Sequence, residues 1–269
     1  MAKPKTAHLH GVVAATLTPL DRNPTPDTEL LVHHCRWLLE NGCDGINLMG
    51  TTGEATSLGI AQRLAVMESV AESGLPLSRF MVGTGVSALA DPTLALYLYH
   101  YPALSGVSFT PALIARLTAA YPASIAGVKD SSGDLTYSDA LVQRFPQLDI
   151  FPSSEAVLLE ARQRGYAGCI SATANITAPL AGRAWAAGGV AAGDGATAQA
   201  AASELRTMIA RYPLVAAIRH AARDVFDDAR WARILPPLTR AQASELDVAL
   251  QAHPAYGQVV AAARHTSGE

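Results

Sequence analysis

The sequence predicts an α/β fold: a parallel (β/α) barrel of the TIM type, followed by a C-terminal helical extension. Three observations lead there. The chain has 269 residues, 49% of them apolar, enough to build one barrel of about 250 residues around a large core. Short apolar runs alternate with amphipathic helical patterns, which marks βα units feeding a parallel sheet. Near residue 190 the strands stop, and the remainder of the chain reads as helices alone.

Gly11–Leu17 is expected to be the first strand. Thr28–Asn41 is the next element, a helix, because Leu30, Leu31, Cys35, Leu38 and Leu39 recur at helical spacing. Asn41-Gly42 ends it. Gly45–Met49 is the second strand, Ile60–Glu72 the next helix and Phe80–Thr84 the third strand. The rhythm then breaks. Gly85–Pro92 is a short loop, and Leu94–Tyr101 is already a strand, although a parallel crossover takes a dozen or more residues. Afterwards helices Pro111–Ala120, Tyr137–Phe145, Glu155–Arg164 and Ala178–Ala187 alternate with strands Ile125–Lys129, Ile150–Ser153 and Gly168–Ala172. The expectation is seven strands, with one helix–strand–helix unit missing. The glycines in the first part of 188–202 suggest a connector, and Ala198–Arg211, Leu214–Phe226 and Ala241–Ala252 read as helices. The expected division is a barrel over residues 1–190, incomplete between 85 and 93, and a helical extension over 191–269.

Composition excludes several classes. The net charge is −3 and the pI about 6.2, so no basic nucleic-acid footprint is present. No apolar run is long enough for a membrane span. Cys35, Cys43 and Cys169 form no CxxC pair, and so sparse a set fits reduced thiols in a cytoplasmic protein. No cluster of His or carboxylates has metal-ligand spacing, so no metal is expected. His33 and His34 are helix neighbours and point apart.

Of 20 basic residues, only Lys3, Lys5 and Lys129 are lysines, and the first two lie in the polar N-terminal tail. Lys129 ends the strand IAGVK, sharing a face with Ile125 and Gly127. A desolvated lysine at the C-terminal end of a barrel strand can lose its proton and attack a carbonyl, which arginine cannot do. A strand-end cation paired with Asp130 or with a helix terminus is the plain alternative. GTTGE, Gly50–Glu54, comes directly after the second strand. Its glycines allow a tight turn, and the peptide N–H groups and hydroxyls of Thr51 and Thr52 suit a carboxylate. An ordinary βα turn would look the same. In LALYLYHY, Tyr97, Tyr99 and Tyr101 share a face; one tyrosine at a strand end can relay protons, while packing explains Tyr97 and Tyr101.

Taken in order, GTTGE (50–54), YHYPALSGV (99–107), GVKDSSGDL (127–135) and GCISATAN (168–175) resemble the dihydrodipicolinate synthase and N-acetylneuraminate lyase family. The resemblance implies a class I aldolase or carbon–carbon lyase on an eight-stranded barrel. It implies a homo-oligomer, provided the interface survives the missing unit. No cofactor is implied. The partners implied are a 2-oxo acid such as pyruvate, bound as a Schiff base, and an aldehyde. By this match Lys129 is the Schiff-base lysine and Tyr99 assists proton transfer. Thr52, within the Gly50 to Gly53 turn, holds the 2-oxo acid carboxylate, Thr51 links to the tyrosine, and Ile170 lines the pocket. Leu104 stands where the synthases carry an arginine for the second substrate's carboxylate, which points toward sugar-acid chemistry. The missing unit would also remove an aromatic turn that completes the tyrosine relay. Two other readings compete: a catalytically impaired member kept as a binding or assembly subunit, and a metal-dependent barrel lyase.

Overall fold

The computed structural model describes residues 9–84, 94–188, 193–241 and 243–265. Seven parallel strands are found among them: β1 (Gly11–Ala15), β2 (Gly45–Leu48), β3 (Phe80–Val82), β4 (Leu96–His100), β5 (Ile125–Asp130), β6 (Asp149–Pro152) and β7 (Gly168–Ser171). They pair in the orders β3-β2-β1-β7 and β4-β5-β6. The backbone N–H of Ala167, at the entrance to β7, donates to the Ile150 carbonyl at 3.0 Å, which sets β7 beside β6. The strands therefore run 3-2-1-7-6-5-4 around a barrel. No ladder among the described residues joins β3 to β4. The short loop expected at 85–92 lies outside the described residues.

Alternation along the strands sorts side chains into two shells. Val13, Ala15, Phe151 and Ile170 fill the barrel interior with Met81 and Tyr97. Gly127 is required there, because a Cβ would lie 2.2 Å from the Asp149 carbonyl oxygen and 2.7 Å from the Tyr97 ring. The opposite faces pack under helices: Val12, Ala14, Ile46 and Cys169 in one cluster, Val128 and Ile150 in another; Ile125, expected on the face of Gly127 and Lys129, joins the second cluster because the register shifts between it and Gly127.

The helices are α1 (Thr28–Glu40), α2 (Ile60–Glu72), α3 (Pro102–Ser105), α4 (Pro111–Ala120), α5 (Leu135–Arg144), α6 (Leu158–Arg164), α7 (Ala174–Ala186), α8 (Asp194–Ile209), α9 (Leu214–Val225), α10 (Ala243–Ala252) and α11 (Pro254–His265). Caps explain several starts. The Asp27 carboxylate accepts from Leu30 N–H, Thr110 Oγ1 from Leu113 N–H and Asp134 from Thr136 N–H. Residues of α8 to α11 share one apolar cluster with the outer face of β1 and β2.

The structure corrects the sequence expectations at several points. Glu155–Val157 is a separate 3₁₀ turn before α6, not the start of one helix. Helix α7 begins at Ala174, four residues before Ala178, because the polar groups of Asn175 and Thr177 are bonded inside the protein. Helix α8 begins at Asp194, with Gly195 inside it. That glycine is a packing residue: a Cβ there would lie 2.2 Å from the Ala187 Cβ. Helices α3 and α11, each opened by a proline, were not expected. The strand expected at Leu94–Tyr101 is shorter at both ends.

Candidate active site

Lys129 reaches the C-terminal mouth of the barrel from β5. Its neighbours in register are Tyr99 on β4 and Phe151 on β6. The side chain is buried, 9% exposed, and Nζ lies 4.6 Å from the centre of the Tyr99 ring. Burial, and secondarily the positive charge of Arg206, lowers its pKa from 10.5 to about 8. The alternative pairing with Asp130 is not made. Asp130 accepts from Ser132 N–H at 2.9 Å and from Ser138 Oγ at 2.7 Å. No ion pair to Lys129 occurs among the described residues.

The GTTGE loop caps the same mouth from β2. Gly53 N–H donates to the Gly50 carbonyl at 3.1 Å and Glu54 N–H to the Thr51 carbonyl at 3.1 Å. The peptide N–H groups of Thr51 and Thr52 make no hydrogen bond among the described residues. Thr52 is 7% exposed, Thr51 is exposed and Gly50 half-buried. Gly53 is wedged against β1, since a Cβ would meet the Thr16 carbonyl oxygen at 3.0 Å. No hydrogen bond between Thr51 and Tyr99 is present among the described residues. Ile170 is buried in the barrel interior. Leu104 sits on α3, 61% exposed, and brings no charge to the mouth.

Two polar networks hold this arrangement, and sequence reasoning found neither. Glu54, in left-handed backbone geometry at φ 55°, is ion-paired with Arg219 of α9; both side chains are 1% exposed. Glu54 Oε2 also accepts from Leu235 N–H at 2.7 Å, and Arg219 Nη2 donates to the Thr18 carbonyl at 2.7 Å. The other centre is Glu155, fully buried. It accepts from Ser171 Oγ at 2.5 Å, Thr173 Oγ1 at 2.6 Å, Thr177 Oγ1 at 2.7 Å and Arg206 Nη1 at 3.3 Å. The fifth residue of GTTGE was the one available signal, a charged residue closing an otherwise small, polar loop. Partners 165 positions apart leave no periodic trace.

A separate group, His220, Asp224 and Asp247, lies on α9 and α10 with side-chain ligand atoms within 4.8 Å of one another. Arg223 bonds Asp224 and approaches Asp247 at 3.7 Å, so a cation already neutralises the acids. Among the described residues no helix is long and apolar enough to cross a membrane.

The model of the dihydrodipicolinate synthetase family matches residues 8–93 and 86–251. The chain belongs to that family. The enzyme class comes with membership: it is a class I lyase or aldolase. The two matched stretches overlap where the crossover was expected to be short. A relative named as an uncharacterized DapA-like lyase in Chloroflexus aurantiacus is 31% identical over 255 residues, covering 78% of this chain and 83% of that protein. Among solved structures, a dihydrodipicolinate synthase of Acinetobacter baumannii in complex with pyruvate is similar at a TM-score of 0.79 and 21% identity, covering 94% of this chain and all, 100%, of that one. A sialic acid aldolase of Ruminococcus gnavus gives 0.77 at 15% identity, covering 96% and 97%. These likenesses show the fold, a TIM barrel with a C-terminal helical extension.

Proposed function

We propose that the protein forms a Schiff base between Lys129 and pyruvate or another 2-oxo acid, and joins or cleaves a carbon–carbon bond to an aldehyde partner. The observation that carries this reading is the buried, unpaired Lys129 amine with a pKa near 8 beside the Tyr99 ring. A free amine attacks the 2-oxo carbon, and loss of water gives the imine, which then withdraws electrons from the adjacent carbon. Tyr99 is assigned proton transfer, with Thr51 as its link. Thr52, in the turn from Gly50 to Gly53, holds the carboxylate where the peptide N–H groups of Thr51 and Thr52 are open, and Ile170 walls the pocket. Relatives and neighbours named as lyases, synthases and pyruvate complexes support this reading and lend nothing to that of an impaired binding subunit.

The finer architecture proposed is a seven-stranded barrel that lacks one helix–strand–helix unit between β3 and β4, with residues 191–269 as the helical extension. Assembly as a homo-oligomer remains part of the proposal.

Incubation with pyruvate and borohydride should add a reduced three-carbon adduct to the peptide containing Lys129, seen by mass spectrometry. Labelling confined to Lys3 or Lys5 would refute the assignment. Lys129→Arg should keep the charge and lose the adduct.

Leu104 sharpens the choice of aldehyde. A carboxylate on that partner lacks a charge-assisted bond worth about 1.5–3 kcal/mol, so sugar aldehydes should be turned over faster than aspartate semialdehyde. Comparable kcat/KM values for both would contradict the sugar-acid assignment.

A further inference from the structure

We propose that Asn175 is a positioning residue for the carboxylate of the 2-oxo acid: it fixes the chain just beyond β1, the platform on which the GTTGE loop rests. The inference rests on the Schiff-base reading above and adds to it the side chain that holds the carboxylate loop in place.

The sheet releases β1 where the loop needs support. The ladder to β7 ends at the pair Ala14–Ser171, and the ladder to β2 at Ala15–Asn47. One further bond, from Thr16 N–H to the Asn47 carbonyl at 3.1 Å, closes that side. Gly53 lies against the residues that follow: a Cβ there would meet the Thr16 carbonyl oxygen at 3.0 Å and Thr18 Oγ1 at 3.1 Å. Residues 16–18 therefore carry the loop at the very end of the paired strand, and side chains hold them there. Arg219 Nη2 donates to the Thr18 carbonyl at 2.7 Å. Asn175 holds the two residues on either side of Thr16. Its Nδ2 donates to the Ala15 carbonyl at 2.8 Å, and its Oδ1 accepts from Leu17 N–H at 2.9 Å.

The coupling path is short. The backbone groups that Asn175 bonds flank Thr16, the Thr16 carbonyl lies against Gly53, and Gly53 directly follows Thr51 and Thr52, whose peptide N–H groups are open among the described residues. The set also specifies asparagine. Asn175 is fully buried near the start of α7, and the second proton of Nδ2 goes to the Ala172 carbonyl at 2.7 Å. His34 of α1 faces Oδ1 through Nε2 at 3.0 Å. Because both amide protons go to carbonyls, the amide cannot be turned over, and His34 must donate through Nε2. Burial lowers the His34 pKa to about 4, so the neutral ring makes this donation. Aspartate would set a second oxygen against two carbonyls. Alanine would leave Ala15, Leu17 and Ala172 without this partner, and a buried network satisfied at every member is what fixes a segment in one position.

Trapping with two ketones separates the carboxylate from the rest of the site. Pyruvate and acetone differ in one group, a carboxylate against a methyl. Each loses its carbonyl oxygen as water in forming an imine with Lys129, and borohydride delivers hydride to the C=N bond. Mass spectrometry on the Lys129 peptide gives the second-order rate constant for trapping each ketone. In folded Asn175→Ala the pyruvate constant should fall about tenfold, while the acetone constant stays within about twofold. A pyruvate-to-acetone ratio equal to that of the natural protein overturns the proposal, because a general loosening of the barrel changes both constants alike. Should Asn175→Ala not fold, the natural protein decides. Coupling is reciprocal, so saturating pyruvate should slow hydrogen exchange of the Leu17 amide, which Asn175 holds, and acetone should not. An amide that pyruvate leaves unchanged, or that acetone slows equally, overturns the proposal. If the natural protein traps no pyruvate at Lys129, the Schiff-base reading fails and this proposal with it. Normal trapping there with an unaltered ratio in Asn175→Ala ends this proposal alone.

Discussion

Lys129→Met is expected to abolish pyruvate trapping and, at neutral pH, to make the fold more stable by about 3 kcal/mol. Folding places a lysine whose ordinary pKa is 10.5 where it falls to about 8. Below about pH 8 both folded and unfolded chains bind this proton, and the folded chain bears a poorly solvated charge in full. Between about 8 and 10.5 the unfolded chain holds a proton that the folded chain has released, so the natural protein gains stability as pH rises. Above 10.5 the difference is gone. The advantage of the methionine variant should therefore be complete at pH 7, shrink from about pH 8 and vanish near 10.5. Denaturant unfolding of both proteins at several pH values measures this. A variant no more stable than the natural chain at pH 7 would mean that the amine is better solvated than its burial implies. The cost is carried by the residue whose reactivity depends on it, the common relation between active sites and stability.

The second large effect concerns the GTTGE loop. Glu54→Gln and Arg219→Met should each cost about 3–5 kcal/mol, because each strands a charge that is buried to 1% exposure. The double variant should lose much less than the two combined, since no lone charge remains. In whatever folded protein survives Glu54→Gln, KM for the 2-oxo acid should rise more than kcat falls: the loop bearing Thr51 and Thr52 would lose its tie to α9 and to Leu235. Single variants that melt within a degree of the parent would show that water or a rearranged side chain compensates the pair.

The barrel was legible in the sequence because its strands are short apolar runs and its helices carry 3.6-residue patterns. The strand that ends in Lys129 was legible as a short apolar run, and Lys129 stood out as the lysine beyond the N-terminal Lys3 and Lys5 in a chain whose other basic residues are arginines. The start of α7 was hidden by Thr173, Asn175 and Thr177, residues that favour loops until a buried partner accepts their hydrogen bonds. Asn175 supplies such partners in both directions: its side-chain amide donates to the Ala15 and Ala172 carbonyls, and its oxygen accepts from Leu17 N–H and faces His34 Nε2 at 3.0 Å. Gly195 reads as a helix breaker until the close approach of Ala187 is known. The Glu54–Arg219 and Glu155–Arg206 pairs join residues from distant parts of the chain, and no local pattern encodes such a meeting. Leu104 shows the reverse case, in which a motif was readable and the side chain is 61% exposed on α3.

The sides of β3 and β4 that no ladder joins among the described residues bear on how the protein behaves as a substance. Each carries backbone donors and acceptors there, and Val82 and Tyr99 beside them are 43% and 37% exposed. In the proposed seven-stranded barrel these rows would have no partner strand, and unpaired rows recruit other extended chains. With a formal charge of only −3 on the whole chain, little long-range repulsion keeps copies apart. Turbidity in concentrated solutions should therefore begin at this seam, and Val82→Lys should delay it.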